Sequence, residues 1–249
     1  MNRDANSKIE EEHLWDIDYD KVNEVIKSVK KEGRNTLLEN EARKVLDTAG
    51  VPIARGEVVH DIDGCIEAAR RIGYPVVLKI VSNEIIHKMD VGGVKTDIQN
   101  ERELLDAYES ICSQVRNRKP KAKIQGISVS EQIEEGEEVV IGGMTDQSFG
   151  PVVMFGLGGI YIEVMKDVVF RIAPIDSQEA GDMIRDISSF SILIGARGKA
   201  RKDLNALAEI VSRVSSLMYG VDGIKDIDLN PVAALEEGAV ALDVAINIE

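Results

Sequence analysis

Two short glutamate-glycine turns constrain this chain more than any other feature. At Glu134-Glu135-Gly136 and again at Glu236-Glu237-Gly238 an apolar, β-prone run stops, three residues pass and another such run begins. Three residues can reverse a chain, but a parallel crossover needs a dozen or more. The flanking runs, residues 123–133 with 137–144 and 225–235 with 239–248, therefore read as hairpins, and the sheets as antiparallel or mixed. Further strands are expected at 51–59, 75–81, a short run ending at Ile98, 151–155 and 164–173. Helices interleave with them at 61–72, 101–115, 177–187 and 204–218. One more is announced by Asn35 and Thr36 as caps, by Leu37, Leu38, Ala42, Val45, Leu46 and Ala49 at helical spacing, and by Gly50 at the stop. The fold class is α/β in the broad sense, an α+β arrangement of helices packed on sheets. The first 34 residues carry dense charge, one Trp and no sustained apolar period, and read as an extension with room for one helix.

Bulk composition narrows the function. No apolar run approaches the roughly 20 residues of a membrane span, and the polar, acidic start lacks the pattern of a secretory signal, so a cytoplasmic protein is expected. Cys65 and Cys112 sit among apolar residues like free thiols, with neither number nor spacing for a disulfide framework or zinc site. Thirty Lys and Arg against 44 Asp and Glu leave a net charge of −14, which repels nucleic acid and anionic membranes. A phosphate-bearing ligand would need local cations and a metal ion.

Several residues could supply such a site. Lys79 interrupts the apolar run Val76, Val77, Leu78, Ile80 and Val81, either as a gatekeeper on an edge strand or as a phosphate ligand. Gly92-Gly93 would let backbone N–H groups approach phosphates, or simply form a turn; no GxxxxGK[ST] loop is present. His87 shares a polar segment with Lys88, Asp90 and these glycines, and a neutral imidazole near pH 7 is a competent phosphoryl acceptor. Glu131 and Glu138 flank the first turn, and a carboxylate at Glu138 could accept hydrogen bonds from ribose hydroxyls. Asp228, Asn230 and Asp243 offer oxygen donors from the last hairpin, a set suited to Mg²⁺. Asp243 is expected within a strand that is otherwise apolar.

The segments GYPVVLKIVSNEIIHKMDVGGVK, FGLGGIYIEVMKDVVFRIAP, LIGARG and DIDLNPVAALEEGAVALDVAI, in this order, resemble the ATP-grasp beta subunits of ADP-forming acetyl-CoA (acyl-CoA) synthetases, relatives of succinyl-CoA synthetase. The resemblance covers residues 35–249. It implies a two-lobed ATP-grasp fold: residues 1–34 an extension, 55–130 the smaller lobe, and 35–54 with 131–249 the core lobe, with ATP or ADP between the lobes. It also implies that Lys79 contacts phosphates, that Gly92 and Gly93 belong to the loop over them, and that the backbone of Glu131, Gln132 and Ile133 meets adenine. Glu138 would bind ribose, while Asn230 and Asp243 would hold Mg²⁺ with Asp228 beside them. His87 would take phosphate from a partner and give it to ADP. Arg171 and Arg197 fall in family motifs without an assigned role. The family reaction, acyl-CoA + ADP + phosphate giving acid + CoA + ATP, also needs CoA-binding and ligase domains, so an alpha subunit and an α2β2 heterotetramer are implied. A succinyl-CoA-synthetase-like ligase subunit and a non-catalytic nucleotide sensor are the alternative readings.

Overall fold

The computed structural model describes residues 15–82, 84–85, 88–133, 136–159 and 166–249, the side chain of Arg197 excepted. The chain divides into two compact units, Met1–Ile53 with Glu135–Glu249, and Ala54–Glu134.

In the first unit an antiparallel sheet has the order β10 (Ala245–Ile248), β8 (Ile224–Ala234), β5 (Glu137–Asp146), β6 (Gly150–Leu157) and β7 (Val168–Ile172), with β9 (Ala239–Ala241) beside β8. Its helices among the described residues are α1 (Tyr19–Lys31), α2 (Glu39–Thr48), α5 (Ser177–Arg185), the short α6 (Phe190–Leu193) and α7 (Leu204–Gly220). α7 buries Leu207, Val211, Val214 and Leu217 against Val139, Ile141, Val153 and Phe155 of the sheet. Gly143 lets the two approach, because a Cβ there would overlap Met218. The three buried serines of α7 are all used: Ser215 Oγ accepts from Ile175 N–H at 2.9 Å, Ser212 Oγ from Trp15 Nε1 at 2.8 Å and Ser216 Oγ from Trp15 N–H at 3.2 Å. The Arg213 guanidinium lies 3.8 Å from the Trp15 ring centroid, so indole and helix hold each other from two sides.

The second unit is a four-stranded antiparallel sheet in the order β1 (Gly56–Val59), β4 (Gly126–Glu131), β2 (Val76–Val81), β3 (Val94–Ile98), packed by α3 (Ile62–Ile72) and α4 (Glu101–Arg118). Both helices start on side-chain caps: Asp61 accepts from Gly64 N–H at 2.8 Å and Asn100 from Glu103 N–H at 3.1 Å. Leu78, Ile80 and Val129 of the sheet meet Cys65, Ala68, Leu104 and Ile111 of the helices in this unit's own core.

Several expectations are corrected. The runs on either side of residues 134–136 do not form a hairpin: β4 pairs with β1 and β2, while β5 pairs with β6 and β8 in the other unit. Alternation reports which face a side chain takes but not which sheet a strand joins, and β4 needs partners on both sides because five of its six residues are buried. Glu134 and Glu135 themselves lie outside the described residues. The chain changes unit after Glu134, so Glu131 belongs with 54–134 and not with the core lobe. The helix for which the first 34 residues left room is residues 19–31, and it buries Val22, Val25, Ile26 and Val29. Thr36 does not cap α2; it bridges to Asn247, and the helix starts after Leu38, whose N–H donates to Glu41 Oε2 at 2.7 Å. The strand expected from residue 51 begins only at Gly56. The last hairpin does close, with Leu235 N–H on Gly238 O at 3.1 Å, but its return strand breaks into β9 and β10.

Asp203 ties this hairpin to α7. Its carboxylate accepts from Asn205 and Ala206 N–H at the helix start and from Gly238 N–H in the turn, and these N–H donors hold its pKa below the ordinary carboxylate value. Asp203→Ala is expected to destabilise the chain by about 2 kcal/mol at pH 7. A depressed carboxylate stabilises above its unfolded pKa, so the difference between wild type and variant should shrink as pH falls below about 4. Urea unfolding of both proteins from pH 7 to pH 3 checks this.

Candidate functional site

Lys79 is half-buried at the fourth position of β2, which is an interior strand with β3 on one side and β4 on the other. The edge-gatekeeper reading therefore falls away. Its neighbours Leu78 and Ile80 enter the helix-packed core, so Lys79 takes the opposite face of the sheet. There it stands across from Ser128, which is fully buried. Ser128 and Ser130 are small polar groups at alternate positions of β4. The pattern Ile127-Ser128-Val129-Ser130 carried that signal in the sequence, and its significance emerges only from the pairing with Lys79 and Val77.

The glycine pair does not offer free donors in this conformation. Gly92 N–H bonds Met89 O at 2.9 Å and Gly93 N–H bonds Lys88 O at 2.8 Å. Gly92 closes a 3-10 turn at φ 70°, a left-handed conformation suited to glycine. A Cβ on Gly93 would stand 2.5 Å from Ile80 Cγ2. Both glycines are thus accounted for by a tight turn laid against β2 and α4. His87 lies outside the described residues; Ile85 before it is buried and Lys88 after it is half-buried.

Glu131 and Gln132 close the other end of this sheet. Glu131 accepts from Arg55 N–H and Nε, both at 2.7 Å, and its own N–H bonds Arg55 O. Gln132 N–H bonds Pro75 O at 3.1 Å, while its side-chain oxygen accepts from Asp97 N–H at 2.6 Å. Asp97 holds φ at 58°, unusual for a residue other than glycine. Both side chains are thereby anchored, and Ile133 follows two residues after the strand ends.

In the first unit, Ile227 and Leu229 of β8 point into the core, so Asp226, Asp228 and Asn230 take the other face, and Glu138 takes it on β5. Asp226 is engaged by Asn247 Nδ2 at 2.7 Å. At Asn230-Pro231 the register with β5 shifts: Val139 pairs with Val232, but Ile141 pairs with Leu229. Proline has no N–H to give the ladder, and at the same level the return strand opens between Ala241 and Ala245. Asp243 consequently sits in this gap, not inside a strand as expected, with Val244 N–H on its Oδ1 at 3.0 Å. Asp228 is solvent-exposed by surface area, yet protein crowded around it raises its carboxyl above the ordinary range, first through lost hydration and then through the charges of Asp243 and Asp226. Two carboxylates that repel each other beside an exposed amide form an oxygen donor set for a hard divalent cation. Two carboxylates and an amide are a donor set that Mg²⁺ could share with phosphates, since it needs only one or two carboxylates; among the described residues no group of three or more His, Cys, Asp or Glu could hold a metal.

Glu138 is exposed, stands opposite Ala233, and its carbonyl accepts from Gly158 N–H at 2.7 Å. That contact lays the glycine-rich run after β6 over the start of β5. Arg171 turns away to the helix side, paired with Asp186 and Glu179. Arg197 lies in a short turn after Gly195, and its side chain is outside the described residues. Asp167, four residues before Arg171 in the same sequence segment, caps the turn before α6 through Ser188 and Ser189 N–H.

Residues 28–248 match the model of the ATP-grasp domain family. The chain is 44% identical over 223 residues to the acetate–CoA ligase (ADP-forming) I subunit beta of Pyrococcus furiosus, covering 90% of this chain and 96% of that one. It is 41% identical to the 4-hydroxybutyrate–CoA ligase (ADP-forming) of Nitrosopumilus maritimus, covering 92% of this chain but spanning only 33% of that relative's length. Solved structures of the dinucleotide-forming acetyl-coenzyme A synthetase 1 of Ca. Korarchaeum cryptofilum are also similar. One, in complex with coenzyme A, Ca-AMPCP and HgCl+, has a TM-score of 0.88 at 38% identity over 91% of this chain and 99% of that one. Another, with coenzyme A and Mg-AMPPCP and its phosphohistidine segment pointing towards the nucleotide binding site, has a TM-score of 0.80 at 35% identity over 92% and 100%. With its two antiparallel units and these relatives across nine tenths of its length, the chain belongs to the ATP-grasp family and, within it, to the beta subunits of ADP-forming acetate–CoA ligases.

Proposed function

We propose that this chain is the nucleotide-binding subunit of a cytoplasmic ADP-forming acyl-CoA ligase that passes a phosphoryl group between an acyl phosphate and ADP through His87, and that it works with an alpha subunit in an α2β2 assembly. The observation that carries the reading is the convergence of Asp228, Asn230 and Asp243 at one break in the first unit's sheet, in a chain that spans nearly the whole of a beta-subunit relative. A nucleotide sensor would also need those residues, but it would have no use for a phosphoryl acceptor. Relatives that take acetate and 4-hydroxybutyrate leave the acid open, and the succinyl-CoA-synthetase-like alternative differs only there.

In this reading Lys79 supplies a compact positive charge to phosphate oxygens, the backbone after Glu131 meets the base, and Glu138 accepts from ribose hydroxyls. Mg²⁺ held by Asn230 and Asp243, with Asp228 beside them, would offset negative charge on the phosphates. Gly92 and Gly93 shape the loop and do not donate to phosphate in the conformation described. Phosphate passes from the acyl phosphate to a histidine of the alpha subunit, and His87 then attacks phosphorus with its neutral imidazole; an N–P bond forms as the bond to that partner histidine breaks. ADP then takes the phosphoryl group with one of its terminal oxygens and the imidazole is released neutral. A phosphoramidate has a transfer potential near that of ATP, so the relay runs both ways.

Two outcomes test the reading. Asp243→Asn keeps the oxygen that accepts from Val244 N–H, so its melting temperature should stay within a degree or two of wild type. Turnover of the assembled enzyme should nevertheless fall by at least about 10- to 100-fold; a variant that unfolds but retains turnover per folded molecule would make Asp243 structural. Incubated with the alpha subunit and labelled ATP, the chain should acquire acid-labile, base-stable label that disappears in His87→Ala together with turnover, while ADP binding persists. Normal turnover by His87→Ala would mean that phosphate reaches ADP without this residue.

A further inference from the structure

The face of the first unit's sheet that carries Asp228 and Asn230 continues across β5, β6 and β7 as an apolar surface. Cross-strand pairing sets Asp226, Met144, Val152 and Ile172 in one row, and Asp228, Gly142, Met154 and Phe170 in the next. On β7, Val169 packs into the core and Arg171 pairs on the helix side, so Phe170 and Ile172 alternate onto this face. They are 49% and 56% exposed, with Met144 at 47% and Phe149, in the β5–β6 turn, at 66%. Nine large hydrophobics are exposed among the described residues; three of them, Met144, Phe170 and Ile172, lie on these strands, and a fourth, Phe149, lies in the turn that joins β5 to β6. Among the described residues β7 pairs only with β6, at the end of the strand order. Scattered exposed hydrophobics need no explanation, but a contiguous group on an edge strand marks a surface that a partner covers.

Its position says which partner. Along β5, Glu138 and Met144 are six residues apart, about 20 Å in an extended strand, and the level of Asp228 falls between them at Gly142. A nucleotide with ribose at Glu138 and phosphates near Asp228 and Asp243 leaves Met154 and Phe170 level with its phosphates and the row of Met144, Val152 and Ile172 beyond them. That is the end at which a phosphoryl donor has to arrive. The 4-hydroxybutyrate–CoA ligase relative carries the matching region as 33% of a single chain. The remaining two thirds of such a protein stay beside this domain covalently, whereas a separate beta subunit must hold its counterpart through a surface. From these observations we infer that Phe170, Ile172, Met144 and Phe149 form the docking surface for the chain that carries the CoA-binding and ligase domains. The inference rests on the function proposed above, and it adds the location of the contact.

The test is the double variant F170S/I172S, in which both replaced side chains are about half exposed, so the fold should survive; Met144→Ser provides a second probe if it does not. The affinity of each protein for the separately expressed CoA-binding and ligase chain from the same source is measured by sedimentation, with calorimetric binding of Mg·ADP as the internal control. Partner affinity should weaken at least about 10-fold, as expected when interface anchors are truncated, and ADP affinity should not change. Equal partner affinity in wild type and variant overturns the inference while leaving the proposed function standing. The inference is also overturned if wild type self-associates, the variant is monomeric and partner affinity is unaltered, because the surface then serves a second copy. If wild type does not bind the CoA-binding chain at all, the proposed function and the inference fall together.

Discussion

The strict alternation of side chains along β5 and β8 is the constraint on which the rest of the first unit depends. Val139 and Ile141 on one strand and Ile227 and Leu229 on the other are sealed under α7, which requires Glu138, Asp228 and Asn230 to emerge on the far face. A shift of one residue in either strand would bury the carboxylates and expose the core, at a cost the chain could not carry. Core packing and site geometry are therefore a single requirement. The bulge at Asn230-Pro231 and the gap at Leu242-Asp243-Val244 relax that regularity at one level of the sheet, and there Asp243 comes close enough to raise the Asp228 carboxyl.

The second unit follows the same logic with a cation. Leu78 and Ile80 are held by α3 and α4, so Lys79 between them takes the opposite side beside Ser128. An interior strand gives Lys79 a rigid frame on both sides, which suits the phosphate contact we propose for it better than a mobile surface position would. At the end of the same sheet, Arg55 and Asp97 anchor the side chains of Glu131 and Gln132. The side chains of that segment are committed to holding it, which leaves its backbone for the base in the function we propose.

Much of this was legible in the sequence because the signals are local. The apolar run broken by Lys79, the periodicity of residues 204–218 and the turn at Glu236-Glu237-Gly238 each follow from spacing alone. Two errors had a non-local cause. The turn at 134–136 looks like a hairpin, but pairing is decided by which sheet has a vacancy, and β4 fills one between β1 and β2. Asp243 reads as a strand residue because its neighbours are β-prone, and only the facing proline on β8 shows why the ladder opens there. Gly92-Gly93 is not an error but an open choice between a phosphate loop and a turn: a Cβ at either position would run into Gln114 or Ile80, which accounts for glycine there without a ligand. Room for a helix at 19–31 was legible too, but amid the surrounding charge its bounds were not, although Val22, Val25, Ile26 and Val29 stand at the spacing of a buried stripe. His87 lies outside the described residues, so its role rests on its place in the chain.

We propose above that this chain binds nucleotide through Lys79 and a divalent cation held near Asp228, Asn230 and Asp243. Calorimetric titration of the isolated chain with ADP, with Mg²⁺ and with chelator, tests it most directly. The account predicts saturable one-to-one binding that depends on Mg²⁺, weakens when Lys79 is replaced by Ala, and loses its Mg²⁺ dependence when Asp243 is replaced by Asn. No binding by the folded wild-type chain, or binding that is indifferent to both Mg²⁺ and Lys79, would contradict it.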